Sequence, residues 1–96
     1  MRITVIGGGI AGLAAAHYLE KKSKENGQPA SITVLEASDY WGGKIKTTLE
    51  DGFVIEGGPD AYLVTKPWMR ALCKELGLDS ELHGTSPEHT ETFILH

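Results

Sequence analysis

An α/β fold built on one parallel βαβ unit, with a β-hairpin and a second helix after it, is predicted by three observations. Residues 2–6 (RITVI) are a short β-branched run bounded by glycine. Residues 10 to about 24 form a helical run that starts directly after those glycines. Residues 31–35 (SITVL) are a second β-branched run, set off by Asn26, Gly27 and Pro29. Strand, glycine turn, helix, loop and strand in that order make a crossover unit, which is right-handed with parallel strands in nearly every case.

Each element has its own justification. The first run, β-branched and bounded by glycine, is expected to be a strand buried on both faces. The helix is apolar on nearly every side in its first half, as a buried helix is, whereas Glu20, Lys21, Lys22, Lys24 and Glu25 turn its second half to solvent. Residues 46–49 and 53–55 flank Glu50, Asp51 and Gly52, a turn signal between two strand-like runs, and so predict a hairpin. Residues 67–76 predict a second helix: Pro67 suits the first turn, Leu72 and Leu76 share a face, and Gly77 closes the end. Residues 80–91 read as a polar connection to a last strand candidate at 92–95. There is no internal repeat and no low-complexity tract.

Bulk properties bound the function. The chain has 96 residues, 41% hydrophobic and 23% charged, so one domain with a modest core is the most it can form. The strand-like ending ETFILH predicts an incomplete piece of a larger fold. Net charge is −4, and the nine Lys and Arg are scattered, which argues against nucleic acid as a partner. The single cysteine, Cys73, cannot form an internal disulfide and is expected to be a small core residue. No run approaches the ~20 apolar residues of a membrane-spanning helix. A secretory signal over residues 2–16 is disfavoured by its four glycines, each of which weakens a helix by about 1 kcal/mol relative to alanine.

Those glycines carry the chemistry. Gly7, Gly9 and Gly12 fit GxGxxG between a strand and a helix, the Rossmann-like dinucleotide-binding pattern. Gly7 permits the tight turn, Gly9 lets a pyrophosphate approach the backbone, and Gly12 lets helix and strand pack closely. The N–H groups of Gly8, Gly9, Ile10 and Ala11 are expected to face the anion at the helix N-terminus. Glu36 ends the second strand, 24 residues after Gly12, where this fold places an acid that binds a ribose; the alternative is a plain surface acid. A carboxylate there repels a 2′-phosphate, which favours FAD or NAD over NADP. A Walker phosphate loop is excluded, because no Gly-Lys-Ser/Thr follows. Gly42 and Gly43 precede Lys44 one short connection later, placing bare backbone and a flexible cation near the same pyrophosphate; the alternative is an ordinary turn with a solvated lysine.

VIGGGIAGLAAAHYLEK, VLEASDYWGGKIKT and DGFVIEGGPDAYL, in that order, resemble the N-terminal FAD-binding part of the flavin amine oxidase-like superfamily. GGK with EGGPDAYL is most similar to the bacterial protoporphyrinogen and coproporphyrinogen III oxidase family of haem biosynthesis. The resemblance implies that residues 1–96 are the N-terminal part of an FAD-binding domain, with the remainder of that domain and a substrate domain absent. It implies that Gly7 to Gly12 hold the FAD pyrophosphate, Glu36 and Ala37 the adenosine ribose, and Gly43 and Lys44 the phosphates or nearby ribose. Gly58, Pro59 and Asp60 would lie beside the flavin end. Many superfamily members carry arginine where this chain has Lys44, which favours the porphyrinogen branch. The implied reaction passes a hydride from a porphyrinogen methylene bridge to the flavin, with oxygen as final acceptor; no catalytic side chain is identified. The implied location is cytoplasmic, with room for peripheral contact of the full-length protein with the inner face of the membrane.

Other residues are discounted. His83, His89 and His96 lack ligand spacing, so no metal site is expected, and His17 packs or faces solvent. Tyr40, Trp41, Tyr62 and Trp68 are expected in a small core. Two further function classes stay open at this point: another FAD enzyme of the amine oxidase or carotenoid desaturase type, and a non-catalytic nucleotide-binding module.

Overall fold

The computed structural model describes residues 1–88 and 94, and the chain divides into two compact units, 1–60 and 61–96. In the first unit, β1 (Arg2–Ile6), α1 (Ile10–Glu25) and β2 (Ser31–Leu35) form the expected crossover. The two strands pair in parallel, from Arg2 opposite Ser31 to Ile6 opposite Leu35. That register puts both strand ends, and so the first glycine turn and Glu36, at one edge of the unit.

Both strands alternate exposed and half-buried residues. Ile3, Val5, Ile32 and Val34 form the half-buried face, and α1 packs on it: Ala16, His17 and Glu20 of the helix line a groove of about 360 Å3 with Ala30, Ile32 and Val34. The opposite face is open, with Ile6 86% and Leu35 53% exposed. The expectation of a strand buried on both faces is therefore corrected. Successive side chains of a strand point to opposite faces, and a single helix covers only one of them. For the same reason the first half of α1 is not enclosed, and Ile10 and Leu13 reach solvent. No described hydrophobic side chain is fully buried.

Helix α1 ends where Asn26, Gly27 and Pro29 predict. The Gln28 N–H donates to the Ser23 carbonyl at 3.0 Å and the Gly27 N–H to the Lys24 carbonyl at 3.1 Å, a Schellman closure. The hairpin follows as β3 (Thr47–Glu50) and β4 (Phe53–Glu56), antiparallel, with Glu50 opposite Phe53. Its two-residue turn has positive φ at both positions, 50° at Asp51 and 79° at Gly52, the type I′ geometry whose twist matches the strands. Thr47 Oγ1 donates to Glu56 Oε2 at 2.7 Å across the open end.

In the second unit, α2 (Pro67–Glu75) carries Pro67 in its first turn and closes as α1 does, with Leu78 N–H on the Cys73 carbonyl at 2.8 Å. A 3₁₀ turn at Asp79–Glu81 interrupts the expected irregular connection, and Arg70 Nε lies 3.9 Å from Asp79 Oδ1. The strand expected at 92–95 falls outside the described residues apart from Ile94. Among the described residues no helix is long and apolar enough to cross a membrane.

Candidate nucleotide-binding site

The first glycine turn extends the parallel ladder by one bond, from Gly7 N–H to the Leu35 carbonyl at 2.7 Å, and then leaves the sheet. Gly7, with φ of 105°, makes that departure in a conformation L side chains rarely adopt. Gly9 is the N-cap of α1, extended at φ −76° and ψ −178°, and offers no side-chain cap; the first turn of α1 carries no acid. The N–H groups of Ile10, Ala11 and Gly12 thus open the helix without intrahelical partners, at the positive end of its dipole. A Cβ built on Gly9 would meet nothing within 4 Å, whereas one on Gly12 would strike the Gly7 carbonyl oxygen. Gly12 is needed for the packing of helix against turn. Gly9 borders open space that a phosphate can enter, so the residues present fit a dinucleotide pyrophosphate.

Glu36 is half-buried at the end of β2. Its Oε1 accepts the Gly8 N–H at 2.8 Å, and its Oε2 accepts both the N–H and the Oγ–H of Ser38, each at 2.7 Å. The Ser38 N–H, its hydroxyl and the Gly8 N–H, in that order, hold the carboxyl at a pKa of about 2. Gly8 is fully buried, and a buried N–H must be paired. This corrects the expectation that Gly8 N–H joins the anion donors: the carboxylate one strand away takes it.

The second glycine pair docks on the first by backbone. The Gly42 N–H donates to the Gly8 carbonyl at 2.8 Å, and Gly9 and Gly42 form an isolated parallel bridge. A Cβ on Gly43 would lie 3.2 Å from Gly9 Cα, and Gly43 has φ of 60°. Gly43 therefore lies against the first glycine turn, while the exposed Lys44 follows it. Gly58 in turn crosses Lys44: a Cβ there would strike the Lys44 carbonyl oxygen. The Gly57 N–H bonds to the Lys46 carbonyl at 2.7 Å, extending the hairpin ladder to this point. Ala37, Pro59 and Asp60 are exposed.

Two contributions escaped the sequence argument: Ser38, and the place of Trp41 over Gly8. The serine two residues after an acid is a readable turn signal. The Trp41 ring lies so close over Gly8 that a Cβ there would strike its six-membered ring, and yet the side chain is 59% exposed. The expected aromatic core is accordingly corrected. Tyr40 is exposed and stands 5.3 Å below Lys46 Nζ, Trp68 is 71% exposed, and Tyr62 and Cys73 are only half-buried. Among the described residues no hydrophobic side chain is fully buried, so these rings have no core to enter.

Residues 10–96 match the family model described as flavin containing amine oxidoreductase. The chain is 51% identical over 77 residues to coproporphyrinogen III oxidase of Bacillus subtilis (strain 168), covering 80% of this chain and 16% of that protein. It is 39% identical over 80 residues to coproporphyrinogen III oxidase of Staphylococcus aureus, covering 83% and 16%. A crystal structure from Exiguobacterium sp. 255-15, named provisionally as a protoporphyrinogen oxidase, superposes with a TM-score of 0.75 at 44% identity, over 82% of this chain and 17% of that one. The chain thus spans about one sixth of the length of these proteins.

Proposed function

This chain belongs to the flavin containing amine oxidoreductase family, and from that premise we propose that it is the N-terminal part of the FAD-binding domain of a porphyrinogen oxidase. The family's cofactor is a flavin, which when bound supplies the redox chemistry while the protein binds and orients. The observation that carries the proposal is the pairing of an open Gly9 edge with a carboxylate fixed on Gly8. In this reading Gly9, Ile10 and Ala11 offer N–H groups to the pyrophosphate, and Gly7 and Gly12 shape the turn. Gly8 orients Glu36, which with Ala37 takes the adenosine ribose. Gly43 brings bare backbone, and Lys44 a positive charge, to the phosphates, and Gly58, Pro59 and Asp60 lie toward the flavin end. The negative charge of Glu36 disfavours a 2′-phosphate.

The substrate class follows from the relatives, which are named for coproporphyrinogen III and protoporphyrinogen. The electrons pass from the porphyrinogen to oxygen, and the protein works in the cytoplasm, with peripheral membrane contact compatible with the reading. The full-length protein purified from its host should be yellow, with a flavin band that anaerobic coproporphyrinogen bleaches and an amine does not. A colourless protein that takes up no FAD overturns the cofactor site. Bleaching by the amine alone overturns the substrate class.

A further inference from the structure

Resting on the nucleotide site above, we propose that Ser38 is its positioning residue: its N–H and its hydroxyl both bond Glu36 Oε2 and so fix the carboxylate in the orientation in which it meets a sugar hydroxyl. A carboxylate has about four lone-pair sites. Ser38 N–H and Ser38 Oγ each lie 2.7 Å from Oε2, and Gly8 N–H lies 2.8 Å from Oε1. With the Ala37 N–H also acting on the carboxylate, its orientation is held from several sides, and Ser38 supplies two of the bonds.

The Ser38 hydroxyl has one hydrogen and two acceptors in reach, Glu36 Oε2 at 2.7 Å and the Tyr40 carbonyl at 3.0 Å. The charged and nearer oxygen takes it, because hydrogen bonds to an ionised acceptor are shorter and stronger. The Tyr40 N–H approaches Ser38 Oγ at 3.5 Å from the other side and completes a tight local turn. Without the hydroxyl, the carboxylate keeps the Ser38 N–H but regains rotational freedom about its last side-chain bond. The sugar hydroxyl then competes with water for either oxygen, and binding loses the advantage of a fixed acceptor.

The test uses the full-length protein stripped of flavin, with FAD as the probe, titrated by flavin fluorescence. Ser38→Ala is expected to weaken FAD binding roughly tenfold at pH 7.5, the scale of one charge-assisted hydrogen bond. Ser38→Thr, which keeps the hydroxyl, is expected to stay within about threefold of the native protein on the same scale. Should Ser38→Ala give no soluble protein, Ser38→Cys, with its weak donor, takes its place under the same expectation. Native affinity in Ser38→Ala, or equal losses in Ser38→Ala and Ser38→Thr, overturn the proposal. Glu36→Ala separates the levels. If it binds FAD normally, the ribose site itself is wrong; if it binds weakly while Ser38→Ala is normal, only the role of Ser38 falls.

Discussion

The Gly8 N–H donates to Glu36 Oε1 at 2.8 Å across 28 residues of sequence, tying the fully buried glycine of the first turn to the carboxylate at the end of the second strand. Glu36→Ala strands that N–H. The Gly8 amide should then exchange with solvent at least tenfold faster, by the cost of leaving a buried donor unpaired, as hydrogen exchange read by NMR will report. Unchanged protection would mean that Trp41 and Gly42 suffice to seal the turn.

The hydrogen bonds on Glu36, those from Ser38 first and that from Gly8 after them, set a pH dependence. The Glu36 carboxyl is depressed from 4.5 to about 2, so its contribution to stability is fully present above pH 4.5 and is lost as pH falls through about 2. Glu36→Gln should remove that dependence. Acid titrations followed by circular dichroism should show a flatter stability profile between pH 4.5 and 2 in the variant than in the native chain.

Two glycines of one motif should fail differently. At Gly9 the backbone is extended and the space beyond it is open, so Gly9→Val should cost about 1 kcal/mol as a poorer helix cap and abolish FAD binding. Gly12→Ala drives a Cβ into the Gly7 carbonyl and should cost about 3 kcal/mol through overpacking against backbone. Thermal unfolding and flavin content of the two full-length variants check this; undiminished flavin in Gly9→Val would refute the role given to the turn.

Gly58→Ala should resemble Gly12→Ala, because its Cβ meets the Lys44 carbonyl. A loss of about 2 kcal/mol or more is expected. A melting temperature within error of the native protein would show that the two segments separate freely.

At the hairpin, Gly52→Ala places a side chain at φ 79° and should cost about 1–2 kcal/mol, the penalty for an L residue in the left-handed region. Chemical shifts of Thr47 to Glu56 moving toward coil values, with β1 and β2 unchanged, would localise the loss.

The local elements were legible because their signals are local. The first β-branched run ended at glycine, Gly27 and Gly77 stopped the helices, and Asp51-Gly52 marked a type I′ turn. What periodicity cannot carry is which face of an element finds a neighbour. Ile3 and Ile6 are equally apolar in sequence, yet one faces α1 and the other is 86% exposed. The site was legible to the same degree. Gly9, Gly12 and Glu36 stand at spacings with a physical rationale, and the second glycine pair was expected near the first turn, whereas the Gly42 bond to the Gly8 carbonyl and its bridge to Gly9 are revealed only by the folded backbone. Trp41 is the sharpest case, since its place over Gly8 owes nothing to helical or strand spacing.

The bridge from Gly42 to the first turn also sets an order of events during synthesis. The glycine turn emerges from the ribosome first, but the hydrogen bond on its Gly8 carbonyl waits for residue 42, and the crossing over Lys44 waits for residue 58. Contacts separated so far along the chain form late, because closing the intervening loop costs entropy before any bond repays it. A nascent chain halted before residue 42 therefore carries the whole first glycine turn without the hydrogen bond that closes on its Gly8 carbonyl.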